Sequence, residues 1–283
     1  MPNSFVLDPL ASSHILEDVQ GRADARNIPL NAAGVSDVRM PLMFKMKSGD
    51  LQPINASVSM SVDLPPEEKG THMSRFIEQL SQWSKTASPI SLDLSLFLAE
   101  LRQRLKSESA TVELQFSLFL DKKAPVTDNS APMGYHCTLS GRDVNGVLTL
   151  FAKVEVPIAT LCPCSKAISD YGAHNQRALA LIEVALNPEL VETLFLEDLI
   201  AYAEESASCD VYPLLKRADE KWVTERQYDN AKFVEDVARD LTLLLRDNPA
   251  CMGFKVRVTA LESIHAHNAW AAHSENMRVM PLF

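Results

Sequence analysis

Alternating hydrophobic and polar positions predict strands in the first half of the chain. In residues 51–62, every second side chain from Ile54 to Val62 is apolar, which is the period-two pattern of a half-buried strand. The apolar residues 40–46 precede it across the sequence Lys-Ser-Gly-Asp, which favours a hairpin turn. Similar patterns predict further strands at residues 112–120, 133–139 and 147–156.

Two amphipathic helices are predicted between these strands. Apolar side chains recur at helical spacing from Met73 to Leu80 and again from Leu94 to Leu105. Ser91 is a candidate N-terminal cap for the second helix. The first half of the chain therefore has the predicted order β-β-α-α-β-β, which the strand at 147–156 follows.

The second half repeats this order in outline. Strands are predicted at residues 177–186 and 254–260, and helices at about 191–205 and 231–246. We therefore expect an α+β fold in which a polar arm is followed by two tandem units with antiparallel sheets and helices on one face. Exposed sheet edges in such a fold favour oligomerisation. The predicted limits are 1–35 for the arm and 36–160 and 161–283 for the units.

Composition excludes several classes of protein. Hydrophobic residues make up 46% of the 283 positions, too many for a disordered chain. Lys and Arg number 27 against 37 Asp and Glu, so the net charge of −10 argues against general nucleic-acid binding. No signal peptide or apolar run near 18 residues is present, so no membrane association is expected. The five cysteines, an odd number, are typical of cytoplasmic thiols or metal ligands.

Reactive side chains are densest around two cysteines separated by one residue. Cys162 and Cys164 lie beside Lys166, and His174 follows closely. A nearby cation favours a thiolate, and Cys and His are common ligands of Zn²⁺. The pattern leaves three interpretations open: a nucleophile, a metal site, and small apolar thiols in a core.

Two other clusters could complete a metal site. His265 and His267 would share one face of an extended backbone, and Glu220 lies in a predicted polar connection, where a charged side chain is usually just solvated. A catalytic ion typically has about three protein ligands, for which Cys162, His174 and one of these two histidines qualify. Such an ion lowers the pKa of bound water to about 7.

Residues 69–76, with the sequence KGTHMSRF, open the first predicted helix. Thr71 can cap that helix, and its N-terminus together with Lys69, His72 and Arg75 is a candidate anion site. The alternative is a capped helix with a solvated basic face.

Four strings in this order resemble the prokaryotic type IB GTP cyclohydrolase family. They are KGTHMSRF (69–76), LCPCSK (161–166), GAHNQR (172–177) and ESIHAH (262–267). The resemblance implies the tunnelling fold, with two tandem β-β-α-α-β-β units per subunit and a homotetramer. It also implies hydrolysis of GTP to 7,8-dihydroneopterin 3′-triphosphate and formate, the first step toward folate and pterins, with Zn²⁺ or Mn²⁺.

The resemblance also implies roles for single residues. It gives the metal ligands as Cys162, His174, Glu220 and His265. Cys164 matches a catalytic position, and Cys162 takes part in catalysis as a ligand of the ion. His267 is a proton carrier or supports the ligands.

Substrate contacts follow from the resemblance and from charge. Glu235 matches the carboxylate that anchors a purine or pterin edge, with a solvated helix Glu as the alternative. The cations for the triphosphate are predicted to be Lys69, His72, Arg75 and Lys166. Because ligand sites in this fold lie between subunits, these groups can come from different chains.

Two rival functions remain open at this point. One is a metal-free deazapurine enzyme of the same fold, similar to a nitrile reductase, with a Cys nucleophile and a nicotinamide cofactor. The other is a non-catalytic scaffold stabilised by a closed zinc site.

Overall fold

One antiparallel sheet of nine strands runs through residues 18–85 and 90–277, the part of the chain that the computed structural model describes. The strands are β1 (Leu30–Lys45), β2 (Leu51–Leu64), β3 (Ser109–Lys123), β4 (Ser130–Val144), β5 (Val147–Leu161), β6 (Asn175–Leu186), β7 (Cys209–Asp210), β8 (Cys251–Ala260) and β9 (Ala269–Glu275). They lie in the order β1-β2-β3-β4-β5-β6-β8-β9, and the short β7 pairs with β5.

Helices cover one face of this sheet. They are α1 (Met73–Lys85), α2 (Ser95–Leu105), α3 (Pro163–Ile168), α4 (Leu196–Ser206), α5 (Arg217–Asp229) and α6 (Val234–Arg246). Their apolar stripes pack on the inward side chains of the strands; Phe97 and Leu101 of α2 and Leu241 of α6 are almost fully buried. Each such side chain contributes about 1.5–3 kcal/mol to folding by leaving water. The predicted α+β class is confirmed.

The strands predicted from alternation are present. Residues 40–46 and 51–62 form the expected hairpin, in which Leu42 lies opposite Ile54. Along β3, every second side chain from Ala110 to Leu118 is buried, as the period-two pattern requires.

Two local predictions were wrong, the Ser91 cap and the polar connection around Glu220. Ser91 does not cap α2, because Asp93 Oδ1 accepts the hydrogen bond from the Ser95 backbone N–H. The helix predicted at about residues 191–205 is present as α4, although it is preceded by a separate 3₁₀ turn, Val191–Thr193. The polar connection around Glu220 is the helix α5, and β9 was not predicted. The limit of 1–35 for the arm stays a prediction: β1 begins at Leu30, and residues 1–17 lie outside the described residues.

The two repeats of element order meet at the turn between β4 and β5. Asn145 and Gly146 both have positive φ there, 50° and 88°, as a tight turn of the favoured hairpin hand requires. The order β1-β2-α1-α2-β3-β4 comes before this turn, and the hairpin β5-β6 opens the second repeat. The division at residue 160 stays a prediction, and the element order favours one nearer Asn145.

Within the described residues, every helix is too short or too polar to cross a lipid bilayer.

Candidate functional site

A pocket of about 250 Å³ opens at one end of the sheet, beside the end of β5, the beginning of β6 and the end of β8. Its reactive lining residues are Cys162, His174, Glu235, Glu262, His265 and His267. Sheet register brings them together: Leu161 pairs with Asn175, and Ala178 pairs with Ala260. Segments more than eighty residues apart in sequence therefore supply one site.

Cys162 and His174 flank the connection from β5 to β6. The Cys162 backbone N–H donates to the His174 carbonyl oxygen at 3.1 Å. Cys162 is the N-cap of α3, where Pro163 suits the first helical position, and its Sγ accepts from the Ser165 backbone N–H at 3.4 Å. Ser165 Oγ donates to the Cys162 carbonyl oxygen and accepts from the His174 backbone N–H. The thiol and the imidazole are thus fixed relative to each other.

The two cysteines of the C-x-C motif have different surroundings, because Cys162 is the N-cap of α3 and Cys164 lies within that helix. Cys162 is half-buried and lines the pocket, whereas Cys164 is exposed in α3 and is not among the lining residues. The three other thiols are protonated near neutral pH: burial raises the pKa of Cys137 to about 12, and of Cys209 and Cys251 to about 11. They are therefore structural, as the core interpretation of a free cysteine requires.

Glu262 is a pocket residue to which the sequence analysis gave no role. Its side chain is 10% exposed, and its Oε2 lies 4.0 Å from His174 Nδ1. That buried oxygen has no hydrogen-bond partner among the described residues. A signal was present, because Glu262 opens the ESIHAH string just beyond a predicted strand end.

His265 and His267 lie in an exposed segment between β8 and β9. Their rings are stacked, with centroids 5.1 Å apart and planes inclined by 16°. Both line the pocket, so this irregular segment presents two imidazoles at its mouth.

Glu235 stands on the rim of the pocket in the first turn of α6. That helix begins after Phe233, whose backbone N–H donates to Asp236 Oδ2 at 3.0 Å. The exposed carboxylate of Glu235 is free to face a ligand, because no described group pairs with it.

Glu220 and Lys166 do not line this pocket. Glu220 is exposed in the first turn of α5, about 10 Å along the helix from Gln227, at 1.5 Å per residue. Gln227 in turn accepts a hydrogen bond at 2.7 Å from Asn175, the neighbour of His174. Lys166 Nζ donates to the backbone carbonyl oxygen of Tyr228 and lies 4.4 Å from the centre of the aromatic ring of the same residue.

The predicted anion segment lies at the other end of the sheet. It follows the end of β2, where Val62 pairs with Ala110 near the beginning of β3. The beginning of β3 pairs with the end of β4, which pairs with the beginning of β5, so all of these lie at the same end of the sheet. The pocket lies past the far end of β5, whose 15 residues span roughly 45 Å. Within one chain, Lys69, His72 and Arg75 are therefore remote from Cys162. His72 Nε2 lies 3.3 Å from Asp18 Oδ2.

Comparison with known protein families shows to which family this chain belongs. A family model described as type I GTP cyclohydrolase folE2 matches residues 16–271. The chain belongs to this family. It is 47% identical over 265 residues to a GTP cyclohydrolase FolE2 of Thermosipho africanus, covering 93% of this chain and 100% of that protein. It is 40% identical over 272 residues to a GTP cyclohydrolase FolE2 of Paraburkholderia xenovorans, covering 96% and 99%.

Solved structures show the fold of this FolE2 family member. A urate oxidase from Bacillus sp. TB-90 matches with a TM-score of 0.52 at 9% identity, covering 87% of this chain and 99% of that one. A hyperthermostable mutant of the same enzyme matches with a TM-score of 0.51 at 11% identity, covering 87% and 98%. The fold is the tunnelling fold, as the four strings implied.

The donor set of the FolE2 pocket fits a divalent ion. A thiol and imidazoles are ligand types that suit Zn²⁺, and a buried carboxylate oxygen without a partner also suits Mn²⁺. As the described side chains stand, no three from His, Cys, Asp and Glu are close enough together to hold an ion. Binding would therefore require side-chain movement, for which the exposed segment carrying His265 is suited.

Proposed function

We propose that the chain converts GTP and water to 7,8-dihydroneopterin 3′-triphosphate and formate, the first step of folate and pterin biosynthesis. One observation carries this proposal: a FolE2-family chain gathers Cys162, His174 and His265 around one pocket, with Glu235 on its rim. A thiol and imidazoles can hold an ion that activates water, and a carboxylate can hold the purine edge.

The proposed ligands of a Zn²⁺ or Mn²⁺ ion are Cys162, His174, His265 and Glu220. When bound, such an ion makes hydroxide available near neutral pH. The first three residues line the pocket, and Glu220 is included on the strength of the family resemblance. Its position on α5, the helix that contacts Asn175, is compatible with recruitment.

Glu235 orients the purine in this proposal. Guanine presents two adjacent donors, N1–H and the exocyclic amine, and the two oxygens of a carboxylate can accept both. Carbon 8 lies at the other end of the guanine from this edge, and Cys162 and His174 line the same pocket as Glu235.

Proton transfer is assigned to Cys164 and His267. Release of formate breaks both bonds from carbon 8 to the ring nitrogens, and each departing nitrogen needs a proton. His267 lies at the mouth of the pocket, within reach of a bound ring. Cys164 would need α3 to adjust, since its side chain is exposed outside the pocket.

The triphosphate site is proposed to be completed by a second copy of the chain. Lys69, His72 and Arg75 lie at the opposite end of the sheet from the pocket, so a neighbouring subunit must supply them. Lys166, beside the pocket in sequence, would come from the same chain. A homotetramer built through the exposed edge strands β1 and β9 would allow this arrangement.

Mixed oligomers test this shared site. Co-expressed Cys162→Ala and Arg75→Ala subunits should recover activity that neither variant has alone, because some interfaces then combine two intact halves. Mixtures that stay as inactive as the separate variants, although mass analysis shows mixed tetramers, would place both residues in one subunit's site or remove Arg75 from it.

The activity itself is tested with GTP and Mn²⁺ or Zn²⁺. We expect stoichiometric formate and a product that becomes a fluorescent pterin on oxidation. Nicotinamide consumption with a deazapurine nitrile would instead support the reductase-like alternative. Tight zinc binding with no turnover of either substrate would support the scaffold.

A further inference from the structure

The amide of Gln176 connects three groups behind the pocket. Gln176 is the second residue of β6 and lies opposite Thr160 of β5. Its Nε2 donates to Thr160 Oγ1 at 3.2 Å and points to Glu262 Oε1 at 3.5 Å. Its Oε1 lies 3.0 Å from His174 Nδ1. Every polar atom of this amide therefore faces a partner.

Glu262 determines which way this amide points. In the reversed orientation, Gln176 Oε1 would face the carboxylate oxygen of Glu262, and two acceptors without a hydrogen between them repel each other. Thr160, whose hydroxyl can donate or accept, is compatible with either orientation. The carboxylate thus selects the orientation that directs Nε2 to itself and Oε1 to His174.

The orientation of the amide in turn determines the tautomer of His174. Since Gln176 Oε1 can only accept, His174 Nδ1 must carry the hydrogen, and the lone pair of a neutral ring lies on Nε2. No group among the described residues pairs with His174 Nε2, on the side of the ring away from Gln176. Glu262 is too distant at 4.0 Å to replace Gln176 as the direct partner of Nδ1.

We propose that Gln176 is a positioning residue that, oriented by Glu262, holds His174 in the Nδ1–H tautomer with its Nε2 lone pair presented to the pocket. This rests on the proposed function, because a lone pair at Nε2 matters when His174 binds a metal ion. Groups that orient a ligand imidazole in this way typically change metal affinity by about 10- to 100-fold when they are removed.

The test reads the tautomer directly. Long-range ¹⁵N–¹H NMR of the metal-free protein at mildly alkaline pH reports which ring nitrogen carries the hydrogen, and loss of a signal in His174→Gln assigns it. Wild type should show the Nδ1–H form. Gln176→Met, similar in length but without an acceptor, and Glu262→Gln, which lets the amide reverse, should both lose this single tautomer.

Metal affinity supplies a second measurement. Zn²⁺ titration against a chelating dye should show about 10- to 100-fold weaker binding by Gln176→Met. The matched control is Gln115→Met, which replaces an exposed glutamine on β3 that pairs with Glu113. It should bind Zn²⁺ as wild type does.

Two results would overturn the proposal. One is an Nε2–H tautomer of His174 in the wild type. The other is a folded Gln176→Met that keeps both the Nδ1–H signal and wild-type Zn²⁺ affinity. Neither measurement uses GTP, so a protein with the expected tautomer but no cyclohydrolase activity would refute the proposed function alone.

Discussion

The backbone N–H of Cys162 donates to the carbonyl oxygen of His174 across 3.1 Å, although the two residues are twelve positions apart. This bond extends the β5–β6 ladder by one step beyond Leu161 and Asn175. The thiol and the imidazole are therefore held by main-chain geometry, which side-chain substitution leaves in place. Single substitutions in the pocket should test chemistry with the fold intact.

Substitution of the two cysteines should separate metal binding from turnover. Cys162→Ala removes a proposed ligand and should abolish both bound metal and activity. Cys164→Ala should keep the metal, because its exposed side chain lies outside the pocket, and should lose rate, because Cys164 is a proposed proton carrier. Metal analysis of both purified variants, with formate release measured in parallel, checks this. Equal metal contents would remove Cys162 from the ligand set.

Glu235→Ala should weaken GTP binding while the metal stays in place. The carboxylate is proposed to accept from the guanine edge, and hydrogen bonds to a charged group contribute about 1.5–3 kcal/mol, roughly 10- to 150-fold in affinity. Calorimetric titration with a non-hydrolysed GTP analogue measures this. Glu189→Ala, an exposed carboxylate beyond the opposite end of β6, is the control. Normal binding by Glu235→Ala would refute the anchor.

Glu220→Gln tests the ligand that the pocket does not contain in this conformation. If Glu220 is recruited from α5, the variant should retain much less than one metal ion per chain after dialysis. Glu225→Gln, on the same helix and paired with Lys221, is the matched control and should remain fully loaded. Full occupancy in both variants would exclude Glu220 as a ligand.

Lys122→Met should destabilise the fold, by at most about 3–5 kcal/mol, because it leaves the half-buried carboxylates of Glu204 and Asp210 without their cation. Lys122 Nζ donates to Glu204 and lies 2.9 Å from Asp210 Oδ2, and Tyr135 also donates to Glu204. Burial raises the pKa of Glu204. The defect should therefore shrink as pH falls and Glu204 becomes protonated. Urea denaturation at several pH values measures this, and a loss independent of pH would contradict it.

Asp219→Asn should destabilise the protein at neutral pH but not in acid. Burial by itself would raise the pKa of Asp219, but hydrogen bonds from Lys216, Thr127 and Val126 prevail and lower it to about 2. Its stabilising contribution is therefore complete above the unfolded pKa of about 3.9 and is lost as pH falls toward 2. Thermal midpoints of wild type and variant should converge over that interval. A constant difference would contradict the assignment.

Local patterns determined the long strands and most helices. Alternation along β3 and the helical spacing in α2 each come from one buried face, which the sequence records directly. Such patterns did not predict α5, because its only buried side chains are the polar Asp219 and Gln227. That helix is held by polar contacts instead of an apolar stripe, so it has no hydrophobic period to detect.

The sequence by itself determined the tandem α+β order, the family through its four strings, and the residue types that can bind a metal and a purine. Only the tertiary structure decided which of them meet. Sheet register places Glu262 beside Gln176 and His174, and the length of β5 separates Lys69 from Cys162. The physical reason is that periodicity and motif spacing arise from contacts within a few residues, whereas the pairing of strands distant in sequence depends on how the whole core packs.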